Sequence, residues 1–146
     1  MSERPPKAEG MQWLNPYMVV QDVKRALDFY EKAFGFKTRV TMPDKEGNIM
    51  HAEMVYKDNV IMLGPESDDH KLKSVHSLKG SPVSFYLYVD NVDEFYQKAK
   101  EAGAEVNMEP QDQFWGDRIC NFKCPEGYSW TFAQNVADFD PQKAPY

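Results

Sequence analysis

Apolar and polar residues are laid out along this chain in one scheme that is used twice. Residues 15–20 (NPYMVV) are apolar, aromatic and β-branched, the composition of a short buried strand. Asp22 follows as a helix cap, and Val23, Ala26, Leu27, Tyr30 and Phe34 recur at intervals of three and four, which lays one apolar stripe along a helix. Gly35 supplies the left-handed residue that closes it. Moving 69 positions on finds the second copy, at residues 84–104, with Tyr17 on Tyr86, Val20 on Val89, Val23 on Val92 and Ala33 on Ala102. Ala26, Leu27 and Tyr30 fall on Phe95, Tyr96 and Ala99, so the stripe survives, with Asp90 or Asn91 as the new cap and Gly103 as the stop. The same shift sets Val60, Ile61, Met62 and Leu63 on Ser129, Trp130, Thr131 and Phe132. A register kept through a later strand points to duplication of a whole module: one strand, one helix and about three more strands, too small to bury its own core.

The rest of each module reads as strands and turns. In the first copy residues 36–42 alternate as an edge or half-buried strand, 43–47 (PDKEG) turn, 48–56 and 60–63 are strands, and 57–59 turn tightly between them. Residues 64–81 become polar and lose periodicity, as a linker does. The second copy continues with a strand at 105–108, a long loop at 110–118 (PQDQFWGDR), strands at 119–124 and 129–132, and the turn PEGY between them. The expected organisation is a flexible arm at 1–11, a single domain at 12–135 and a polar tail at 136–146, with module 1 at 12–65, a linker at 66–81 and module 2 at 82–135. Phe139 and Tyr146 of the tail are available to pack on a neighbour.

Composition narrows the function. At 146 residues the chain suits one compact domain, and its net charge of −6 removes the electrostatic case for nucleic acid or anionic membranes as partners. No apolar run approaches the roughly 20 residues that span a bilayer, and the N-terminus lacks a secretory apolar core, so a soluble cytoplasmic protein is expected. Cys120 and Cys124 lie four apart in an expected strand, about 13 Å from each other, too far to bridge; they read as small buried hydrophobes.

Taken together, the paired modules, the segment VVQDVKRALDFYEKAFGF and the closing CPEGYSWTF resemble the vicinal oxygen chelate superfamily, which includes glyoxalase I, bleomycin-resistance proteins and extradiol dioxygenases. PYMVVQDV and DQFWGDR resemble its PhnB-like branch. The resemblance covers residues 12–134 and implies an α+β fold of two tandem β-α-β-β-β modules forming a cupped mixed sheet. In the superfamily's metal enzymes, four side chains project into the cup from the first and last strand of each module. Carried over, those positions are Asn15, Met62, Ser84 and Thr131, none of them a histidine or carboxylate. Such donors replace the hydration shell of a divalent metal poorly, so neither a metal nor another cofactor is expected.

The positive signal is aromatic. By period two, Asn15, Tyr17 and Val19 share one strand face and Ser84, Tyr86 and Tyr88 another. In the resembled fold they would line the cup, with Met62 and Thr131 at its floor, Phe114 and Trp115 in a covering loop, and Arg118 of WGDR either near an anionic ligand group or paired with a neighbouring carboxylate. Asp117 is expected to fix the loop through hydrogen bonds. That surface suits a flat or partly aromatic organic ligand held by stacking and a few hydrogen bonds, and the net acidity favours a neutral or cationic one. The leading expectation is a metal-independent small-molecule binding protein similar to the bleomycin-resistance proteins, acting by stoichiometric capture as a homodimer, with no catalytic residue. Two alternatives stand beside it. One is a metal-dependent lyase, isomerase or dioxygenase with displaced ligands, for which His51 and Glu53, on one strand face, are the first suspects. The other is a protein-interaction module without a small ligand.

Overall fold

The structure is a computed structural model describing residues 3–146. Its elements run β1 (Tyr17–Val20), α1 (Val23–Phe34), β2 (Lys37–Pro43), β3 (Ile49–Tyr56), β4 (Asn59–Pro65), α2 (Val75–Leu78), β5 (Phe85–Tyr88), α3 (Val92–Glu101), β6 (Glu105–Asp112), β7 (Asp117–Lys123) and β8 (Ser129–Asn135), followed by a 3-10 turn at Pro141–Lys143. The chain divides into two compact units between Leu78 and Lys79, except that Lys32–Phe34 at the end of α1 group with the second.

Each unit holds a mixed four-stranded sheet of the same design, ordered β1-β4-β3-β2 in the first and β5-β8-β7-β6 in the second. The first and last strands of each module pair parallel, and the others antiparallel. Tyr17 stands beside Met62 and Tyr86 beside Thr131, so the shift of 69 seen in the sequence holds across the parallel pair. On the third strand the correspondence slips by one: Glu53 pairs with Met62, but Asn121 pairs with Thr131, because the second unit's last turn is one residue longer. Both edge strands are irregular at the same place, between Thr38 and Val40 and between Val106 and Met108. The fold is the expected pair of β-α-β-β-β modules.

Local chemistry sets the helix limits. Asp22 Oδ1 accepts from Arg25 N–H at 3.0 Å, and Asn91 Oδ1 from Glu94 N–H at 3.1 Å, satisfying donors that the first turn cannot use. Gly35, at φ 71°, ends α1 in the left-handed region. In the first unit the α1 stripe of Val23, Ala26, Leu27 and Tyr30 is buried together with Met18, Val20, Met54 and Leu63. In the second unit α3 packs on β6, β7 and β8. There Phe132 is fully buried, with ring centroids 4.1 Å from Phe95, 4.7 Å from Phe34, 6.1 Å from Trp130 and 6.2 Å from Phe122. Each buried ring contributes about 1.5–3 kcal/mol by removal from water. Both cysteines are buried and outside any disulfide, and burial pushes the Cys120 thiol up to about 12, so it packs rather than reacts.

Three segments differ from the sequence reading. The long loop expected at 110–118 is a four-residue connection, 113–116, because β6 continues through Pro110 to Asp112. Proline is tolerated there because β6 is an edge strand, where an N–H facing solvent is not missed. The linker contains one helical turn, α2, too short to show an apolar period in sequence. The tail folds back within its own unit, setting the rings of Phe139 and Tyr146 6.3 and 6.0 Å from Phe114.

Phe132→Ala removes the ring around which the second unit's aromatic side chains gather. The expected loss is about 3–5 kcal/mol, read as a lower urea midpoint at unchanged slope. A loss below about 1 kcal/mol would show that this cluster does not carry the core.

Candidate ligand-binding site

Strand periodicity divides β5 into two sides: Phe85 and Leu87 are half-buried, while Tyr86 and Tyr88 remain 47 % and 55 % exposed. Their hydroxyls do not point at random. Tyr86 O–H donates to Asp117 Oδ2 at 2.6 Å and Tyr88 O–H to the same oxygen at 2.7 Å. The other carboxylate oxygen accepts from Asn135 Nδ2 at 3.0 Å. Trp115 adds its indole N–H to Tyr86 Oη at 3.0 Å. Asp117 itself is only 2 % exposed.

Backbone constraints put these groups together. Gly116, at φ 100°, turns the chain between β6 and β7, and its carbonyl accepts from the N–H groups of Val136 and Ala137. A β-carbon at Gly116 would collide with the Ala137 carbonyl, so only glycine lets the turn lie this close to the segment after β8. Trp115 therefore sits beside Tyr86, and Asp117 opens β7 opposite Asn135. Burial pushes the Asp117 carboxyl up, but hydrogen bonds from Tyr86, Asn135, Tyr88 and Trp115 prevail and hold it below the ordinary carboxylate range. Tyr86 is pushed up by burial and by Asp117, and Tyr88 by its bond to Asp117, so both remain neutral phenols at pH 7. Farther along this sheet, Asn121 Nδ2 donates to Ser129 Oγ at 3.0 Å and Thr131 Oγ1 at 2.9 Å, and Asn121 Oδ1 accepts from Asn107 at 2.8 Å.

The first unit carries a different chain of groups at the corresponding positions. Tyr17 Oη lies 3.3 Å from His51 Nδ1, His51 Nε2 lies 3.3 Å from Glu53 Oε2, and Glu53 Oε1 lies 3.2 Å from Arg39 Nε. A carboxylate only accepts, so Nε2 carries the proton toward Glu53; in the neutral ring Nδ1 then accepts from Tyr17. A β-carbon at Gly64 would meet Tyr17 Oη at 2.5 Å; its absence gives the phenol room to lie across β4.

Among the residues expected to bind ligand, Tyr86, Tyr88 and Trp115 come together around Asp117. Tyr17 lies half-exposed beside His51 in the first unit. Met62 is half-buried on β4, and Thr131 is engaged by Asn121. Asn15 and Ser84 precede β1 and β5, and the side chains actually paired across from Met62 and Thr131 are those of Tyr17 and Tyr86. Asn15 donates to Gln12 O at 2.7 Å. Phe114 turns toward Phe139 and Tyr146. Arg118, open in sequence between an anionic ligand group and a neighbouring carboxylate, is one residue from Asp117 and so takes the opposite side of β7, where its guanidinium binds Asp93 and, at 3.0 Å, Asp112. Asn121 and Asn135 were not singled out in the sequence, since a lone asparagine on a strand carries no local signal. Among the described residues no three His, Cys, Asp or Glu side chains gather in a metal-binding group, and Asn, Met, Ser and Thr remain a poor donor set for a divalent metal.

The family model of the Glyoxalase/Bleomycin resistance protein/Dioxygenase superfamily matches residues 11–132. An uncharacterized protein of Mycobacterium bovis is 36 % identical over 128 residues, covering 86 % of this chain and 84 % of that one. Among solved structures, TioX from Micromonospora sp. ML1 superposes with TM-score 0.69 at 24 % identity, covering 84 % of this chain and 98 % of its own. A hypothetical protein from S. aureus superposes with TM-score 0.60 at 26 % identity, covering 84 % and 96 %.

Because the folded-state pKa of Asp117 is depressed, its contribution to stability is present above the unfolded carboxyl pKa near 3.9 and is lost as pH falls through the folded value. Asp117→Asn is expected to flatten the acid limb of the stability profile below about pH 4. The same variant should bring late-titrating phenols back toward about pH 10, read from phenolate absorbance. Unchanged phenol titration would break the assignment of Asp117 as their shared acceptor.

Proposed function

The chain belongs to the Glyoxalase/Bleomycin resistance protein/Dioxygenase superfamily, and from that premise we propose that it binds a small, partly aromatic organic ligand without a metal. The observation that supports this reading most is the pair of half-exposed phenols held by a buried carboxylate, with an indole beside them. Rings left open to solvent cost the fold apolar exposure, and their hydroxyls are already oriented, so little ordering remains to be done when a flat ligand stacks on them. Tyr86, Tyr88 and Trp115 are the contacts in this reading; Asp117 and Asn135 hold them. Capture in the cytoplasm by a homodimer, in the manner of bleomycin-resistance proteins, completes the proposal.

A second reading, metal-assisted catalysis with displaced ligands, has one observation in its favour, the contact of His51 with Glu53. Arg39 weakens it, because its guanidinium already occupies one Glu53 oxygen and repels a cation. In neither unit do the described residues supply a third ligand.

Chelator-treated protein titrated with zinc, nickel, manganese and iron is expected to take up substoichiometric metal, while flat aromatic compounds quench its tryptophan emission. Tyr86→Ala and Tyr88→Ala should weaken that quenching by about tenfold or more at unchanged fold, in line with loss of a stacking anchor. Tight stoichiometric metal would overturn the metal-free reading and turn attention to His51 and Glu53.

A further inference from the structure

We propose that the corner formed by Tyr86 and Tyr88 takes an organic cation, an ammonium or guanidinium group, with Asp117 as the charge behind it; this rests on the ligand-binding reading above.

The first ground is a count of hydrogen-bond donors. A phenol has one O–H, and both are spent on Asp117 Oδ2. The Trp115 N–H is shared between Tyr86 and Asp117, and the Asn135 amide is spent on Asp117, Gly116 O and Ala137 O. What remains toward solvent is ring faces and oxygen lone pairs. None of these four side chains has a donor left for a ligand carboxylate, phosphate or carbonyl, whereas a ligand that brings its own donors finds acceptors.

The second ground is charge. Asp117 is a buried anion whose hydrogen-bond partners are all neutral: two phenols, a carboxamide and an indole. The neighbouring cation, Arg118, is on the other side of the strand and is committed to Asp93 and Asp112. The negative charge therefore reaches the exposed side through the two phenols. Donation of each O–H to a carboxylate also enriches its ring in electron density, which strengthens attraction for a cation over the ring face. The ring centroids are 5.6 Å apart with planes at 67°, close enough for one small cation to stand within about 6 Å of both.

The duplicated module supplies an internal contrast. At the position of Tyr88 the first unit has Val19, and at the position of Asn107 it has the cation Arg39, paired with Glu53. At these positions the first unit has neither the second phenol nor the uncompensated anion. Cation binding is thus assigned to the second unit alone.

Benzyltrimethylammonium and its uncharged carbon isostere, 2,2-dimethylpropylbenzene, share shape and differ in charge. Followed by shifts of the Tyr86 and Tyr88 ring resonances, the cation is expected to bind about tenfold more tightly or better, with the advantage shrinking as salt is raised. Asp117→Asn should erase most of the advantage. Tyr88→Val, which copies the first unit and leaves the Asp117 charge in place, should reduce it as well and serves where Asp117→Asn fails to fold. Equal affinity for the two compounds would overturn the cation assignment while leaving small-molecule binding intact. Retention of the full advantage in both variants would also overturn it, and failure of both compounds to bind would bring down both readings together.

Discussion

A strand sends alternate side chains to opposite sides, and a sheet that buries one side must display the other. Everything specific about this protein follows from that constraint applied twice. Met18 and Val20 are buried, so Tyr17 between Pro16 and Met18 is displayed; Leu87 lies between Tyr86 and Tyr88, so both phenols are displayed. The same rule separates Asp117 from Arg118. One is drawn into the phenol cluster and the other into ion pairs with Asp93 and Asp112, although they are adjacent in sequence.

Duplication then allows the two displayed surfaces to diverge without disturbing the buried ones. The irregularities between Thr38 and Val40 and between Val106 and Met108 sit at equivalent points of the edge strands. They aim Arg39 at Glu53 in one unit and Asn107 at Asn121 in the other. One unit thus carries an ion pair extended through His51 to Tyr17, the other a neutral amide ladder ending in two hydroxyls. The backbone device is shared, and the electrostatics are not. Binding chemistry can be rewritten on such a scaffold by changing side chains that the core does not need.

How much of this the sequence revealed depends on the range of the interaction. The α1 stripe, its Asp22 cap, its Gly35 stop and the shift of 69 are local or periodic, and they were legible. The length of β6 was not, because Pro110 reads as a strand breaker until the strand is known to lie at an edge. Tyr86 and Tyr88 were readable as displayed side chains. Their common acceptor lies 31 and 29 residues away, and nothing in the segment WGDR says which of its two charges turns inward. Nor could counting from Val20 and Val89 reveal that β1 and β5 begin only at Tyr17 and Phe85, which leaves Asn15 and Ser84 ahead of the strands.

The position of Asp117 is the decision on which the chemistry of the second unit turns. An ionised carboxylate at 2 % exposure needs donors, and the sheet provides neutral ones rather than a cation. Had Arg118 and Asp117 exchanged places in the strand alternation, a guanidinium would face the phenols and the surface would favour anions. With Asp117 inward, the phenols are turned hydroxyl-first toward the carboxylate and face-first toward solvent. Orientation, charge and donor supply are thereby set by one buried group, and each is what the proposed cation site requires.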